Sequence, residues 1–263
     1  MMGKGKILII GAGKVGTSLA ILLDKAGYTI EGIVSGTQES ASRLGKLMGC
    51  SFSTDLLTDL NVDFVIVSVP DHLLKEVLGE LTSYDSSTTV IHTAGSYSIE
   101  MFPGNTSYRK GIIYPLQTFT HDRRAYLDDI PLFIEADSDE TLGLIHNLAS
   151  DISDQVVHIE YDQRQKLHLA AVFVCNFVNH MYFAGEKILE DTGIRFGVLE
   201  PLIRETFLKA IELGPEQSQT GPAIRNDKIT LEKHLKLLSF SPEFWKIYSE
   251  ITDSIMKNYS RKI

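Results

Sequence analysis

The sequence predicts an α/β protein, a doubly wound and mainly parallel sheet followed by an all-helical second part. Two observations carry that prediction. Up to about residue 160, short apolar runs bounded by turn residues alternate with segments of helical periodicity. This is the pattern of strands buried on both faces and joined by crossover helices. Beyond that point the strands give way to helices, with no low-complexity linker and no internal repeat. The class change places a first domain at residues 1–159 and a second at 160–263.

Lys6–Ile10 is the first apolar run, and Gly11, Gly13 and Gly16 follow it as GxGxxG. Leu19, Ala20 and Leu23 then recur at helical spacing until Gly27 ends the segment, and a second strand runs into "IVSGTQES". In such a turn the first glycine permits the tight bend and the second lets backbone approach a pyrophosphate. The third permits close packing of helix on strand. The helix N-terminus, here opened by Lys14 and Val15, offers free N–H groups and the positive end of a dipole. A glycine turn without a ligand is the plain alternative. Its place between a strand and a helix, with a second strand after it, favours a Rossmann-type dinucleotide site.

Alternation then continues. Ser40–Met48 reads as a helix, Phe64–Val69 as a buried strand, and Asp71 as the cap of a helix reaching about Leu81. Residues 88–95, 111–116, 131–136 and 155–160 supply further strands, with a helix over about 139–149. In a doubly wound sheet ligands bind outside the carboxyl ends of the strands. Those ends carry Ser35-Gly36-Thr37, Val69-Pro70-Asp71, the loop from His92 through Gly95 to Ser96, and Tyr114-Pro115-Leu116-Gln117. Each is ordinary turn chemistry alone; together on one edge they read as the rim of a cofactor site.

An acid after the second strand would bind the ribose 2′-hydroxyl of NAD. Here that position is small and hydroxylated, with no carboxylate before Glu39, so NADP is favoured and NAD remains open. Ser35, Thr37 and Gln38 can donate to a 2′-phosphate, and Arg43 can reach back from the next helix.

From Tyr161 to Asp191 there is no proline, which predicts one long helix, apolar nearly all round in the middle and buried on several sides. His168, Cys175, Asn176, Asn179 and His180 fall on one side of it, within an arc of roughly 140°. They are either polar groups satisfied by neighbouring helices or the lining of a crevice. Further helices are expected over Phe196–Leu213, Leu231–Ser239 with Thr230 as cap, and Glu243–Tyr259.

Composition excludes several classes. The 263-residue chain has a net charge of −9 and no long basic run, so nothing attracts a nucleic-acid backbone. Cys50 and Cys175 stand far apart in no metal-binding spacing, which predicts neither disulfide nor metal and fits a reducing cytoplasm. The apolar run at the start is too short for a signal peptide, and polar residues interrupt Leu167–Ala184, against a membrane span.

With "GAGKVG", "VSVPD" at 67–71, "HTAGS" at 92–96, "YPLQTF" at 114–119, "HLAAVFVCNF" at 168–177 and "TGPAIRND" at 220–227, the chain resembles a known family. These are the Rossmann-like proteins with a C-terminal helical domain of unknown function. They belong to the 6-phosphogluconate dehydrogenase-like, ketopantoate reductase and pyrroline-carboxylate reductase group. The resemblance implies a helical domain like that of 6-phosphogluconate dehydrogenase and an NADP oxidoreductase, sometimes deazaflavin-dependent. Two positions depart from the family: Tyr114 stands where it usually has His before Pro-Leu, and Gly36 where it tends to have Arg.

The leading expectation is therefore hydride transfer between NADP(H) and a small, anionic C=O or C=N substrate. His168 would move the proton, Asn176 orient the reacting oxygen, and Arg225 pair with a carboxylate, with Asp227 fixing the guanidinium. A non-catalytic NADP(H)-binding sensor and electron exchange with a deazaflavin are the competing readings. A helix apolar on nearly all faces also predicts a homodimer packed through the second domain.

Overall fold

The computed structural model describes residues 4–57, 60–118 and 130–259. Phe119, the last residue of the "YPLQTF" motif, lies outside them. The chain divides into two compact units, Met1–Cys175 and Asn176–Ile263.

The first unit is one eight-stranded sheet. Its strands are β1 Lys6–Ile10, β2 Thr29–Val34, β3 Ser51–Ser53, β4 Phe64–Val67, β5 Thr89–His92, β6 Arg109–Pro115, β7 Leu132–Ala136 and β8 Val156–His158. Its helices are α1 Lys14–Lys25, α2 Gln38–Met48, α3 Asp71–Glu80, α4 Asp139–Ser150 and α5 Tyr161–Ala171. The order across the sheet is β3-β2-β1-β4-β5-β6-β7-β8, and only the β6–β7 pair is antiparallel. The chain winds outward in one direction from β1 and in the other from β4. The crevice that a doubly wound sheet offers to ligands therefore opens at the carboxyl ends of those two strands.

Strand alternation divides the core between the two faces. Ile7 and Ile9 of β1 pack with Leu19 and Leu23 of α1 and with Ile145 and Leu148 of α4. Leu8 and Ile10 pack on the other face with Leu74 and Leu78 of α3. A strand buried on both faces has no polar position to spare, which is why "KILII" reads as a continuous apolar run.

Two local expectations need correction, and one strand is new. The strand after Asp63 ends at Val67, two residues before the expected Val69. Asp71 is the first residue of α3 and Pro70 its cap position; the Asp71 carboxylate accepts from the Ser96 hydroxyl at 2.5 Å. Strand β3, three residues long, was too short to be legible.

The long helix is continuous from Tyr161 to Thr192, and Val172–Phe177 within it is wound as a π-helix. It is the only helix among the described residues long and apolar enough to cross a membrane by length and composition, with a mean hydropathy of 1.3. The expectation that it is buried on several sides does not hold. None of that apolar window is buried, because apolarity says only that a surface should leave water, not what will cover it.

The second unit is helical: α6 Val178–Leu189, α7 Glu200–Leu213, α8 Pro215–Ser218, α9 Lys228–Leu237 and α10 Pro242–Tyr259. Its buried apolar side chains are few, namely Ala184, Ala223, Leu231 and Leu238. Helix α9 begins one turn earlier than expected. Its cap is Asp227, which accepts from the Thr230 amide at 3.1 Å and the Thr230 hydroxyl at 2.7 Å.

Candidate functional site

The glycine loop lies at the switch point of the sheet. Gly11 has φ +105°, and a Cβ there would lie 2.2 Å from the Ser68 carbonyl oxygen after β4. A Cβ on Gly16 would lie 1.9 Å from the Gly11 carbonyl oxygen. Packing therefore demands both glycines. Gly13 is different: it is exposed, its φ of −74° suits any residue, and a Cβ would meet nothing within 4 Å. The open space lies over the first turn of α1, which has neither a capping side chain nor an acid and begins with Gly13, Lys14, Val15 and Gly16. These are the surroundings a pyrophosphate needs, since backbone N–H groups and the helix dipole bind it where no side chain intervenes.

Beside this loop, the end of β2 carries a cluster of hydroxyls. Ser35 accepts from the Ala12 amide at 3.3 Å and pairs with Ser40 at 2.7 Å. Thr37 caps α2 through the Ser40 amide and also meets the Ser40 hydroxyl at 2.8 Å. Arg43 donates to the Ala12 carbonyl at 3.0 Å, which brings its guanidinium to the glycine loop from α2. Gly36 leaves open space, and Arg43 brings a positive charge to the glycine loop from α2. The donor set is cationic and hydroxylic.

Further along the same edge, Val69 is half-buried and Pro70 exposed. Ser68 and Thr93, after β4 and β5, meet at 3.3 Å. His92 does not stand on the rim. Its ring is fully buried, stacked on Phe102 with centroids 5.4 Å apart, and its Nδ1 accepts from the Ala94 amide. Burial, and next the charge of Arg164, push its pKa down to about 3, so it is a neutral core residue rather than a cofactor contact.

Gly95 has a second role. A Cβ there would lie 2.7 Å from the Tyr114 ring, so the glycine makes room for the phenol. The Tyr114 hydroxyl lies 2.9 Å from Nδ1 of His168 on α5, and the rings meet edge to face at 5.8 Å. Burial, more than the opposing charge of Arg164, pushes the phenol above its usual range, so Tyr114 keeps its proton and can donate it. His168 is half-buried, and which of the two groups donates in this bond depends on the imidazole tautomer.

Arg164, one turn before His168, is fully buried and ion-paired with Glu135 of β7. Its guanidinium also donates to the Gly95 carbonyl at 3.3 Å and the Tyr97 carbonyl at 2.6 Å. The sequence signal for this pair was an arginine four residues before the candidate histidine and an acid inside the apolar run "PLFIEA".

Asn176, Arg225 and Asp227 belong to the second unit. Asn176 and Arg225 are exposed. Asp227 does not fix the Arg225 guanidinium: both carboxylate oxygens are engaged by Thr230, and no Arg225–Asp227 ion pair occurs among the described residues. Helix capping takes the carboxylate because the Thr230 amide at the start of α9 would otherwise lack a partner. Among the described residues there is no cluster of metal-binding side chains.

Comparison with known proteins agrees with this geometry. A Rossmann-like domain model matches residues 2–116, and the model called Domain of unknown function (DUF2520) matches residues 130–255. The chain is 37% identical to a solved "putative NADP oxidoreductase" from Bacteroides fragilis, covering 96% of this chain and 98% of that one at a TM-score of 0.89. It is 22% identical to a Thermotoga maritima protein of known structure, over 94% and 99% of the two chains, with a TM-score of 0.73. A 1-pyrroline-5-carboxylate reductase from Streptococcus pyogenes shares the fold at 16% identity and a TM-score of 0.61, over 96% and 98% of the chains. No protein of curated function matches. The chain belongs to the family that joins an N-terminal Rossmann-like domain to the helical domain of unknown function DUF2520.

Proposed function

We propose that this protein is an oxidoreductase that uses NADP in preference to NAD and acts on a small C=O or C=N substrate. The observation that carries the reading is the Tyr114–His168 hydrogen bond, 2.9 Å long, at the carboxyl ends of the sheet that bears the open glycine loop. A reduced nicotinamide bound at that loop would supply the hydride. Gly11, Gly13, Lys14, Val15 and Gly16 would hold the pyrophosphate, and Ser35, Thr37 and Arg43 the 2′-phosphate. Reduction of a carbonyl or imine also needs a proton at the oxygen or nitrogen. Tyr114, protonated at neutral pH, donates it, and His168 behind it restores it from solvent. This differs from the expectation that His168 acts directly, because Tyr114 occupies its Nδ1. The hydrogen-bonded phenol–imidazole pair supports enzyme over sensor, since a sensor has no use for it.

Exposed Arg225 offers an anchor for an acidic substrate, and we include it in the proposal on its chemistry alone.

We further propose that a second copy of the chain covers the helical unit. Phe183, Ile188, Val198, Leu202, Phe207, Ile211, Leu237, Phe240 and Trp245 are all exposed, spread over α6, α7, α9, α10 and the turns between them. Apolar surface on that scale exceeds what monomers usually leave in water.

The function is tested by screening small oxo-acids and cyclic imines for NADPH consumption, followed by Tyr114→Phe. The reading predicts that the substrate found loses at least about a hundredfold in kcat without the phenol, as expected for a general acid. Turnover by Tyr114→Phe at the parent rate would refute it.

A further inference from the structure

Arg164 is the only lysine or arginine buried among the described residues. Taking a guanidinium out of water is costly, and an apolar pair of similar volume often holds two elements together as well as a buried ion pair does. Holding α5 to β7 is therefore a weak reason to keep it. What an apolar pair could not do is grip backbone carbonyls. Arg164 donates to two of them, Gly95 and Tyr97, both in the loop after β5. Tyr161, one turn earlier on α5, donates to a third in that loop, the Ser96 carbonyl, at 3.4 Å, and the Arg164 guanidinium lies over its ring. Gly95 also faces the Tyr114 ring, and Tyr114 reaches His168. Residues four apart share a helix face, so the turn that anchors the loop is the turn that presents His168.

We propose that Arg164, held by Glu135, is a positioning residue that locks the Gly95–Tyr97 loop and α5 in the register that sets His168 Nδ1 on the Tyr114 phenol. The inference rests on the reading of Tyr114 and His168 as the proton-donating pair. The guanidinium also acts through space, drawing the phenol down against the upward push of burial.

The test uses the full chain and the double variant Arg164→Met/Glu135→Leu, which removes the buried charges together. The readouts are the ring resonances of His168 in ¹⁵N-histidine-labelled protein, NADPH affinity by fluorescence, and kcat on the substrate found by screening. The proposal expects a folded protein with NADPH affinity within about twofold of the parent. His168 should lose its Tyr114-bonded signature and match its state in Tyr114→Phe, and kcat should fall at least about tenfold. A folded double variant with the parental His168 signature and kcat would overturn it, leaving the ion pair as structure only. Should the double variant fail to fold, Arg164→Lys decides. It keeps the charge but cannot reproduce the fork, so loss of the signature supports the proposal and its retention with parental kcat refutes it. Failure of the underlying reading shows separately, as a His168 resonance in the parent that Tyr114→Phe does not move.

Discussion

Leu47 in the first unit and Phe207 in the second are almost equally exposed, at 60% and 61%, yet they stand in opposite surroundings. Leu47 sits on α2, whose Ala41 and Leu44 are buried, in a unit whose sheet has both faces closed, by α1 and α4 on one side and α3 on the other. Phe207 has Leu208 and Ile211 beside it on α7, both exposed, and its unit buries little beyond Ala184, Ala223, Leu231 and Leu238. Exposure of a single side chain therefore says little. What matters is whether the unit around it has completed a core. The sheet of the first unit has, and its openings there are chemical: the space over Gly13 and the strand ends at Tyr114. The apolar side chains at the end of that unit, Leu169, Phe173 and Val174 on the long helix, are exposed as the second unit's are. The second unit has not completed its core, and its opening is a surface.

The contrast breaks most sharply on charge. Phe207→Asp with Ile211→Asp places two carboxylates on the face assigned to a second copy, at a cost of several kcal/mol each if that face is buried. Sedimentation should show the dimer weakened at least about a thousandfold, whereas Leu47→Asp should leave assembly and melting unchanged. A Phe207/Ile211 variant that assembles like the parent would remove the second copy from the account, and recovery of the parent with membranes would replace it with lipid.

The glycines sharpen the comparison within the first unit. Gly13→Val should fold with stability close to the parent, because its Cβ enters open space. It should nonetheless lose at least about a hundredfold in dinucleotide affinity, since the pyrophosphate needs that space. Gly16→Ala should show the reverse order of effects. Its methyl meets the Gly11 carbonyl, and strain of about 1–3 kcal/mol should appear first in denaturant melts.

How much of this was legible in sequence followed from range. The glycine loop was readable because a strand, a turn and a helix announce themselves within a few neighbours. His168 was singled out, but its partner lies 54 residues away and registered only as a departure from a family pattern. The Arg164–Glu135 pair, 29 residues apart, left a faint trace: an acid among apolar strand residues and a base on the histidine's face of the helix. The helix Tyr161–Thr192 is legible as a helix but its exposure is not, because periodicity fixes which residues share a face and not what packs on it. At α9, Asp227 and Thr230 are both good capping residues three positions apart. The aspartate takes the role, its carboxylate accepting from the Thr230 amide.

Acid provides a smaller test of the first unit's core. The folded-state pKa of His92 is depressed to about 3, below its usual 6.5, so the unfolded chain binds the extra proton first as pH falls. The stability it contributes is full above about pH 6.5 and is lost as pH drops from there toward 3, by about 1.4 kcal/mol per unit at most. Melting of the parent and of His92→Gln between pH 7 and 5 should show a shallower slope in the variant. Equal slopes would mean that the imidazole titrates freely.

The smallest effects lie in the second unit. Asp227→Ala should cost about 1 kcal/mol, the usual value of a lost cap, and Arg225→Ala at most about 1 kcal/mol of stability. Thermal melts of the two variants separate a cap from a surface charge. Should Arg225→Ala prove the more damaging, the guanidinium has a structural partner and its assignment as a substrate anchor fails.

The most direct test of the central claim, that the open glycine loop and its hydroxyl-and-arginine neighbour form a dinucleotide site suited to NADP, is a calorimetric titration of the parent protein with NADPH and NADH. The account predicts that both bind, NADPH about tenfold or more tightly, the equivalent of one charge-assisted hydrogen bond to the 2′-phosphate, and that Arg43→Ala erases the difference. Binding of neither nucleotide, or a preference for NADH, would contradict it.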